Sequence, residues 1–508
     1  MKVSLVVPVY KKSQTQLREC LKSLFTQSHK DIEVIAVFDG ADPELEEVGK
    51  EFIKYENYVD ENGVPNTRNK GLRMLTIAHS GAPKARNAGF ALSTGDVVAF
   101  WDADCYAEPE MVKMWVKTFE RNPEVDFVYS GYKWTDPKIA GFESEKFDPW
   151  LLKQYNYICS MFPIKREKFP GWDESLEGLQ DWDYWRRAVD SGCIGKYIPG
   201  YGFATDLPDD KSISGNAERT RARVEKIREK FGDPKRDILV YGGLYKNEAI
   251  HIAKVLDADY FVNWPFYKIH DYKMVLMIGF HPWELKGAAS LFSTLKDEKK
   301  IIYWMGQDAE ITYCAPYHEA KTLISKIKDD VKKSFCDGER TRKILESMDI
   351  EAEILPFPSE FGVAAKTMPE KFKVLALADA HFKEHLLSVV RALPMVQIDV
   401  ANAETPYNIN DYSVGIQLTE YPRLLLNSQK MLMNGRHMIS NVQEPYSGYV
   451  ATDDITKFKS EMISKILELE KTNSLNTEAA EYYLQTTDQQ TFANRINTEI
   501  APVLEVVQ

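Results

Sequence analysis

The chain has 508 residues, of which 44% are hydrophobic, 12% aromatic and 28% charged, a globular composition that excludes a disordered or low-complexity chain. At roughly 150 residues per domain, this length predicts about three domains. A formal net charge of -12 repels polyanions, so contact with nucleic acid or an anionic membrane would need a local basic patch. The best such stretch, Lys211 to Arg236, interleaves Arg219, Arg221, Arg223, Lys226, Arg228 and Lys230 with Glu218, Glu225 and Glu229, the pattern of a solvated helix.

Cys20, Cys105, Cys159, Cys193, Cys314 and Cys336 stand far apart with no C-x-x-C pair. That argues against a zinc ribbon or a disulfide framework and fits a reducing cytoplasm. The apolar run Val3 to Val9 contains Pro8 and ends at Lys11-Lys12, too short for a signal-peptide core. No window approaches the roughly 18 to 20 uninterrupted apolar residues of a membrane helix. The expectation is a cytoplasmic protein, soluble or peripheral to the membrane.

In chain order, Val3 to Val9 and Ile32 to Phe38 read as buried parallel strands, with Leu17 to Phe25 as the helix between them. Gly81 to Ser93 is helix-like after a Gly-Ala-Pro turn, Asp96 to Trp101 is a strand, and Pro109 to Arg121 is a helix with proline at its start. Gly232-Asp233-Pro234 signals a turn, and a strand follows at Asp237 to Val240. Further α/β series run through Met274 to Phe280, Lys300 to Trp304 and Lys332 to Cys336, then Phe372 to Leu377, Tyr412 to Leu418 and His437 to Ser440. The pieces after Asn473 read as closing helices. The predicted class is α/β, with domains at 1–232, 235–365 and 366–508.

Ligands in open α/β sheets bind beyond the carboxyl ends of strands, which makes Tyr10, Asp39 and Asp102 to Asp104 candidates to line one crevice. Two aspartates one residue apart at a strand end can aim both carboxylates into one pocket, and hard oxygens suit Mg2+ or Mn2+. By itself, D-x-D reads as readily as a pair of solvated turn residues.

Its surroundings separate these readings. Val7-Pro8-Val9-Tyr10, Val37-Phe38-Asp39-Gly40, Ala85-Arg86-Asn87-Ala88-Gly89, Ser93-Thr94-Gly95-Asp96 and Phe100-Trp101-Asp102-Ala103-Asp104 occur in one order. Together these resemble the inverting family 2 glycosyltransferases of GT-A fold. Pro170 to Leu176 and Leu179-Gln180-Asp181-Trp182-Asp183-Tyr184-Trp185 are similar to that family's acceptor-side segment. There the last residue of an acidic pair is the catalytic base, a role that falls on Asp181, with Gln180 replacing the usual glutamate.

The resemblance implies a UDP- or GDP-sugar donor and transfer with inversion. It implies that Pro8, Tyr10 and Asp39 contact base or ribose, that Arg86 lies near the donor, and that Asp102 reaches ribose or metal. Asp104 is then the direct ligand of Mn2+ or Mg2+. Asp181 also reads as a helix N-terminal residue, since Trp182 to Val189 is helical in pattern. A histidine expected after the base is missing between Tyr201 and Ser214, leaving Asp206 or Lys211 as substitutes. The Q-x-x-R-W motif of processive synthases is also missing, which favours addition of a single sugar or a short chain.

From about residue 235 the chain more faintly resembles a GT-B glycosyltransferase with two Rossmann-like halves. The carrying pieces are Tyr303 to Asp308, Ile354 to Pro358, Asn427 to Lys430 and Asn434 to Ser440. Pro422 and Lys430 stand where such enzymes carry two glutamates, so Ser428 and Lys430 become the candidates for a second donor site, where a helix start and an ammonium would hold a diphosphate. Two patterns are set aside as chance matches: His381-Phe382-Lys383-Glu384-His385 for zinc, and Tyr241-Gly242-Gly243 for a phosphate loop. The second half reads either as a second transferase or as a non-catalytic module binding acceptor or partner. A third alternative is a sugar- or nucleotide-binding protein with both sites dead. The acceptor is left open among surface glycan, glycolipid, protein and a modified nucleobase.

Overall fold

The computed structural model describes residues 1–59, 65–69, 71–206, 217–242, 245–260, 272–279, 300–305, 308–309, 331–358, 368–378, 382–401, 408, 411–418, 431–432, 434, 436–441, 447–452, 454–486 and 489–505. The chain separates into two compact units that part between Pro234 and Lys235. Both are α/β, the first built on one mixed sheet and the second on two parallel sheets.

The first unit runs β1 (Val3–Val9), α1 (Gln14–Phe25), β2 (Ile32–Asp39), α2 (Pro43–Lys50), β3 (Tyr55–Val59), β4 (Pro65–Asn69), β5 (Arg73–Ile77) and α3 (Ala82–Leu92). It continues through β6 (Val97–Phe100), β7 (Cys105–Ala107), α4 (Met111–Arg121), β8 (Phe127–Trp134), α5 (Pro149–Gln154), β9 (Ile164–Lys165), α6 (Gln180–Asp190), β10 (Gly195–Thr205) and α7 (Ala217–Lys230). Strands β3 and β4 form a separate antiparallel pair, and the rest make one sheet in the order β5-β2-β1-β6-β9-β8-β10-β7.

The half β5-β2-β1-β6 is parallel throughout. Its strands are apolar on both faces, with Val3, Leu5, Val6 and Val7 fully buried, as a parallel sheet covered on both sides requires. Helix α1 is fixed at its start by a reciprocal capping box between Ser13 and Gln16, which satisfies two otherwise orphaned backbone donors. Helix α3 lies so close to the sheet that a Cβ on Gly89 would stand 2.2 Å from Val6 Cγ1. The glycine of the Ala85-to-Gly89 motif is therefore a packing requirement. Gly95 meets β1 in the same way, donating its N–H to Ser4 Oγ at 2.8 Å.

Because β5, β2, β1 and β6 are parallel, their carboxyl ends open on one edge, where the chain segments after Ile77, Asp39, Val9 and Phe100 lie. After β6 the chain turns through residues 101–104 and crosses to β7, which pairs antiparallel with β10 through Cys105 and Thr205. The Asp102-to-Asp104 segment is that turn.

Helix α7 departs from the solvated helix expected of its charges. Val224 and Ile227 are buried. The Lys230 ammonium bonds Asp173 at 2.6 Å and also the fully buried Asp183 of α6. Arg186 of α6 makes a two-pronged pair with Asp233 at 2.6 and 2.7 Å, and its guanidinium stacks 3.9 Å from the Phe231 ring centre. The charge run thus ends in a clamp on α6.

The second unit holds a six-stranded sheet, β12-β11-β13-β14-β15-β16, and a five-stranded one, β18-β17-β19-β20-β21, each parallel throughout. Their strands are β11 (Ile238–Tyr241), β12 (Asp259–Tyr260), β13 (Met274–Ile278), β14 (Lys300–Trp304), β15 (Lys333–Cys336) and β16 (Glu353–Ile354), then β17 (Lys373–Ala378), β18 (Gln397–Ala401), β19 (Val414–Leu418), β20 (His437–Ser440) and β21 (Ser447–Tyr449). All of β13 and β19 is buried. A Cβ on Gly242 would lie 2.2 Å from Ala249 Cβ, so that glycine serves strand-to-helix packing. The C-terminal helix Gln489–Glu505 is pinned to β16 by Arg495, which bonds both Glu353 oxygens at 2.7 and 2.8 Å. Arg495 and Lys333 hold the Glu353 carboxyl down at about 2. Ser428, Lys430, Lys211, Gly243 and His381 lie outside the described residues. His385 packs edge-on against Phe458 at 5.4 Å. Among the described residues no helix is long and apolar enough to cross a membrane.

Gly89→Ala should destabilise the first unit by about 1–3 kcal/mol, the usual cost of overpacking a core. The neighbour it meets is a buried β-branched valine with no flexible end to yield. Denaturant unfolding measures this, and a loss below a few tenths of that range would mean that α3 does not sit so tightly on β1.

Candidate active site

Two non-glycine residues of the first unit adopt positive φ among the described residues, Lys11 at 47° and Leu179 at 53°. Both flank the cleft at the carboxyl edge of the sheet. Such conformations cost energy and persist where surrounding structure enforces them. At Lys11 the chain breaks from the line of β1, and Tyr10 and Lys12 stand at the strand end. At Leu179 it enters α6 with no side-chain cap, so Gln180 and Asp181 occupy the first turn.

Asp102 and Asp104 are each about one-third exposed, at 36% and 32%. The Arg86 guanidinium donates to Asp102 Oδ1 at 2.8 Å, and the Lys12 ammonium donates to Asp104 Oδ2. Burial alone would lower the Lys12 pKa, but the charges of Asp104 and Asp102 raise it above its ordinary value. Each carboxylate keeps a second oxygen with no hydrogen-bond partner among the described residues. Two carboxylates at a strand end with open oxygens match the way Mg2+ is usually held, by one or two carboxylates plus substrate phosphates and water. No group of three metal-ligating side chains occurs among the described residues. Asp206, at the end of β10, accepts from Thr135 Oγ1 at 2.7 Å. Its charge and that of Asp104 both raise the Tyr106 phenol, after desolvation.

Arg86 itself is buried at 7% exposure. Besides Asp102 it donates to Gln180 Oε1 at 3.2 Å and lies over the Trp172 ring at 4.5 Å. Next to it, Asn87 donates to the Trp172 carbonyl and Glu174 Oε1, both at 2.9 Å, and accepts from the Trp172 N–H. One turn of α3 thereby joins the aspartate turn, the 171–174 segment and the start of α6.

The Asp181 carboxyl is raised above its ordinary pKa, first by desolvation and last by Asp102, against the Trp182 N–H, Arg86 and Asn156, which lower it. The carboxyl group is enclosed by protein, although the residue as a whole keeps some accessible surface. Arg86, which bonds both Asp102 and Gln180, links the acidic turn to the start of α6 one residue from Asp181, and its charge and that of Asp102 act on the Asp181 carboxyl. Cys159 lies close by, and burial pushes its thiol up, which removes it as a thiolate nucleophile.

On the other flank, Asp39 is 2% exposed and its oxygens are engaged locally. They accept from Ser80 N at 2.7 Å, Gly81 N at 2.9 Å and His79 Nδ1 at 2.9 Å. The His79 ring stacks on Tyr10, with centroids 4.2 Å apart and planes 8° from parallel. Pro8 is half-buried within β1, level with Val37. Lys12, His79 and Asn156 partner these aspartates without having been singled out from sequence, whereas Trp172 lies in the Pro170 to Leu176 segment quoted there. Lys12 was hidden as part of a Lys-Lys pair, and His79 is separated from Asp39 by the intervening β3–β4 hairpin.

Residues 4–171 match the model for glycosyl transferase family 2. The O-antigen biosynthesis protein RfbC of Myxococcus xanthus is 29% identical over 189 residues, covering 36% of this chain and 14% of that protein. The uncharacterized glycosyltransferase MJ1057 of Methanocaldococcus jannaschii is 27% identical over 198 residues, 37% of this chain and 64% of its own. A glucosyl-dolichyl phosphate glucuronosyltransferase of Haloferax volcanii is 34% identical over 125 residues, 24% of this chain and 36% of its own. Each match thus spans less than two thirds of the relative. Among solved structures, S. aureus TarS 1-349 is similar at 17% identity and a TM-score of 0.35, over 46% of this chain and 66% of that one. The N-terminal unit of this chain carries a glycosyl transferase family 2 domain.

Proposed function

We propose that the first unit transfers a sugar from a nucleoside-diphosphate sugar, UDP- or GDP-linked, to an acceptor hydroxyl with inversion. The observation that carries this reading is that Arg86 joins Asp102 to Gln180, the neighbour of Asp181, and acts on the Asp181 carboxyl, while Asp104 stands two residues on from Asp102, paired with Lys12. In it, Asp181 takes the proton of the acceptor hydroxyl as the oxygen bonds to the anomeric carbon. The bond from that carbon to the diphosphate oxygen breaks, and its electron pair leaves with the nucleoside diphosphate. Desolvation raises the basicity of Asp181, and the Arg86 charge keeps the ionised form attainable. Asp104 and Asp102 would hold Mn2+ or Mg2+, which when bound supplies positive charge for the departing diphosphate. Lys12 and Arg86 add fixed positive charge at the same edge.

The reading takes the protein as a cytoplasmic enzyme, free or peripheral to a membrane, whose acceptor is a glycan, glycolipid, protein or modified nucleobase. For the second unit it keeps two forms. One is a GT-B-like second transferase using Ser428 and Lys430, supported by its two parallel sheets. The other is a module that binds acceptor or partner.

With Mn2+ and a panel of nucleotide sugars, the full chain should release nucleotide, and Asp104→Ala should lower turnover at least ~100-fold, as loss of several kcal/mol of charge stabilisation requires. Turnover unchanged in Asp104→Ala would contradict the assignment. Residual turnover removed by Lys430→Ala would mark a second catalyst, and complete loss in Asp104→Ala alone would leave the second unit a binding module.

Asp181→Asn should lower turnover about 10²–10⁴-fold, the range for a lost general base. Since folding raises the Asp181 pKa, the protonated form is favoured in the native state. The ionised carboxylate therefore subtracts stability above that raised pKa, and the effect vanishes below the unfolded value. Asparagine does not titrate, so the variant should melt higher than wild type at pH 8, with the gain shrinking as pH falls. Wild-type turnover should decline with falling pH at a point above that of an ordinary aspartate. A variant that melts lower at pH 8 would show that Asp181 is a structural cap.

A further inference from the structure

Two cations hold the acidic turn, and they differ in how easily each can leave it. Arg86 is buried, and its pair with Asp102 is one of three contacts that lock the guanidinium in place. Withdrawing that partner would strand a buried charge. Lys12 is placed otherwise. Its side chain is 30% exposed and that of Asp104 32%, and a solvent-accessible ion pair contributes little. Among the described residues the Lys12 ammonium bonds Asp104 alone.

The backbone root of Lys12 is set on both sides. Lys11 before it adopts a φ of 47°, and Ser13 after it is locked in the capping box of α1. The freedom lies in the four-carbon arm, which ends in a compact charge that needs no particular bonding plane. A divalent cation held by Asp104 and Asp102 would stand within a few ångströms of that ammonium, where like charges repel. Lys12 and the metal therefore compete for Asp104. A nucleoside diphosphate gives the displaced ammonium a second anion to bond. Phosphate oxygens that share the ion with Asp104 lie about 4 Å from its carboxylate, the sum of two metal–oxygen bonds, within reach of a lysine arm.

We propose that Lys12 is a tethered cation that holds the Asp104 carboxylate before the donor arrives and passes to the donor diphosphate when the metal takes that carboxylate. The inference rests on the nucleotide-sugar reading of the cleft and adds an order of events to it. The metal binds poorly alone and well together with the nucleotide, because only the nucleotide offers Lys12 another partner.

Two measurements on the full chain test this. Mn2+ binding is followed through the electron paramagnetic resonance signal of the free ion, and binding of UDP and GDP, with and without Mn2+, by calorimetry. Lys12→Met keeps the bulk of the arm and removes its charge. It should bind Mn2+ alone about tenfold more tightly than wild type, and the Mn2+ complex of the preferred nucleotide about tenfold more weakly, the scale of one hydrogen bond to a charged group. Lys12→Gln should behave likewise. Damage to the fold would weaken both, so the opposite signs are the mark of the transfer. Adding Asp104→Asn to Lys12→Met should abolish the gain in Mn2+ affinity. Mn2+ affinity that does not rise in Lys12→Met, a gain that survives Asp104→Asn, or nucleotide binding that does not fall overturns the inference, and the nucleotide-sugar reading stands if wild type binds UDP or GDP. If wild type binds neither, with or without Mn2+, that reading falls and the inference with it.

Discussion

Arg86 is a buried cation at the junction of three segments far apart in sequence. Its guanidinium pairs with Asp102 from the turn after β6, bonds Gln180 at the start of α6, and covers the ring of Trp172. A buried guanidinium left unpaired would be strongly destabilising, so the folded state requires Asp102 to face it and α6 to begin beside it. That requirement aligns the acidic turn with Asp181. A lysine at this position could not do the same, since it lacks the planar fork that pairs and stacks at once. Gln180 also gains a physical reading: a neutral amide accepts from Arg86 and donates to the Leu176 carbonyl at 2.8 Å, leaving the positive charge for Asp102 and Asp181.

The sheet supplies the other constraint. Four parallel strands bring His79, Asp39, Tyr10 and Asp102 to one edge in the spatial order β5, β2, β1, β6, although their sequence order differs. Close packing makes that edge firm: Gly89 lets α3 press on Val6, and Gly95 lets the turn before β6 press on Ser4. Backbone strain at Lys11 and Leu179 lies at the two places where the chain must turn abruptly to bring side chains into the cleft. On the far side, Lys230 and Asp233 clamp α6 through Asp183 and Arg186, which steadies the helix that carries Asp181.

Much of this was legible in the residues because the relevant physics is local. Buried parallel strands such as Val3–Val9 and Val414–Leu418 announce themselves as apolar runs, and α3 is marked by a glycine and proline at its start. The helix expected from Pro109 begins instead at Met111, with Pro109 in the preceding turn. Strands β7 to β10 escaped notice because they are short, bulged or polar, and are held by pairing across the sheet, not by pattern. The charge run ending at Lys230 looked solvated because its partners Asp173 and Asp183 lie 57 and 47 residues earlier. The site divides along the same line. Asp102, Asp104 and Asp181 stand in ordered motifs, whereas Lys12 and His79 acquire meaning only through the neighbours that folding gives them.

The central claim is that one carboxylate, Asp181, activates the attacking hydroxyl on the face opposite the diphosphate that Asp102 and Asp104 serve. Stereochemistry tests it most directly. The full chain would be incubated with a donor of α configuration, and the anomer of the transferred or initially hydrolysed sugar read by proton NMR before mutarotation. The account predicts a β product, formed by a single displacement. An α product would mean a different route through the cleft and would contradict the role given to Asp181.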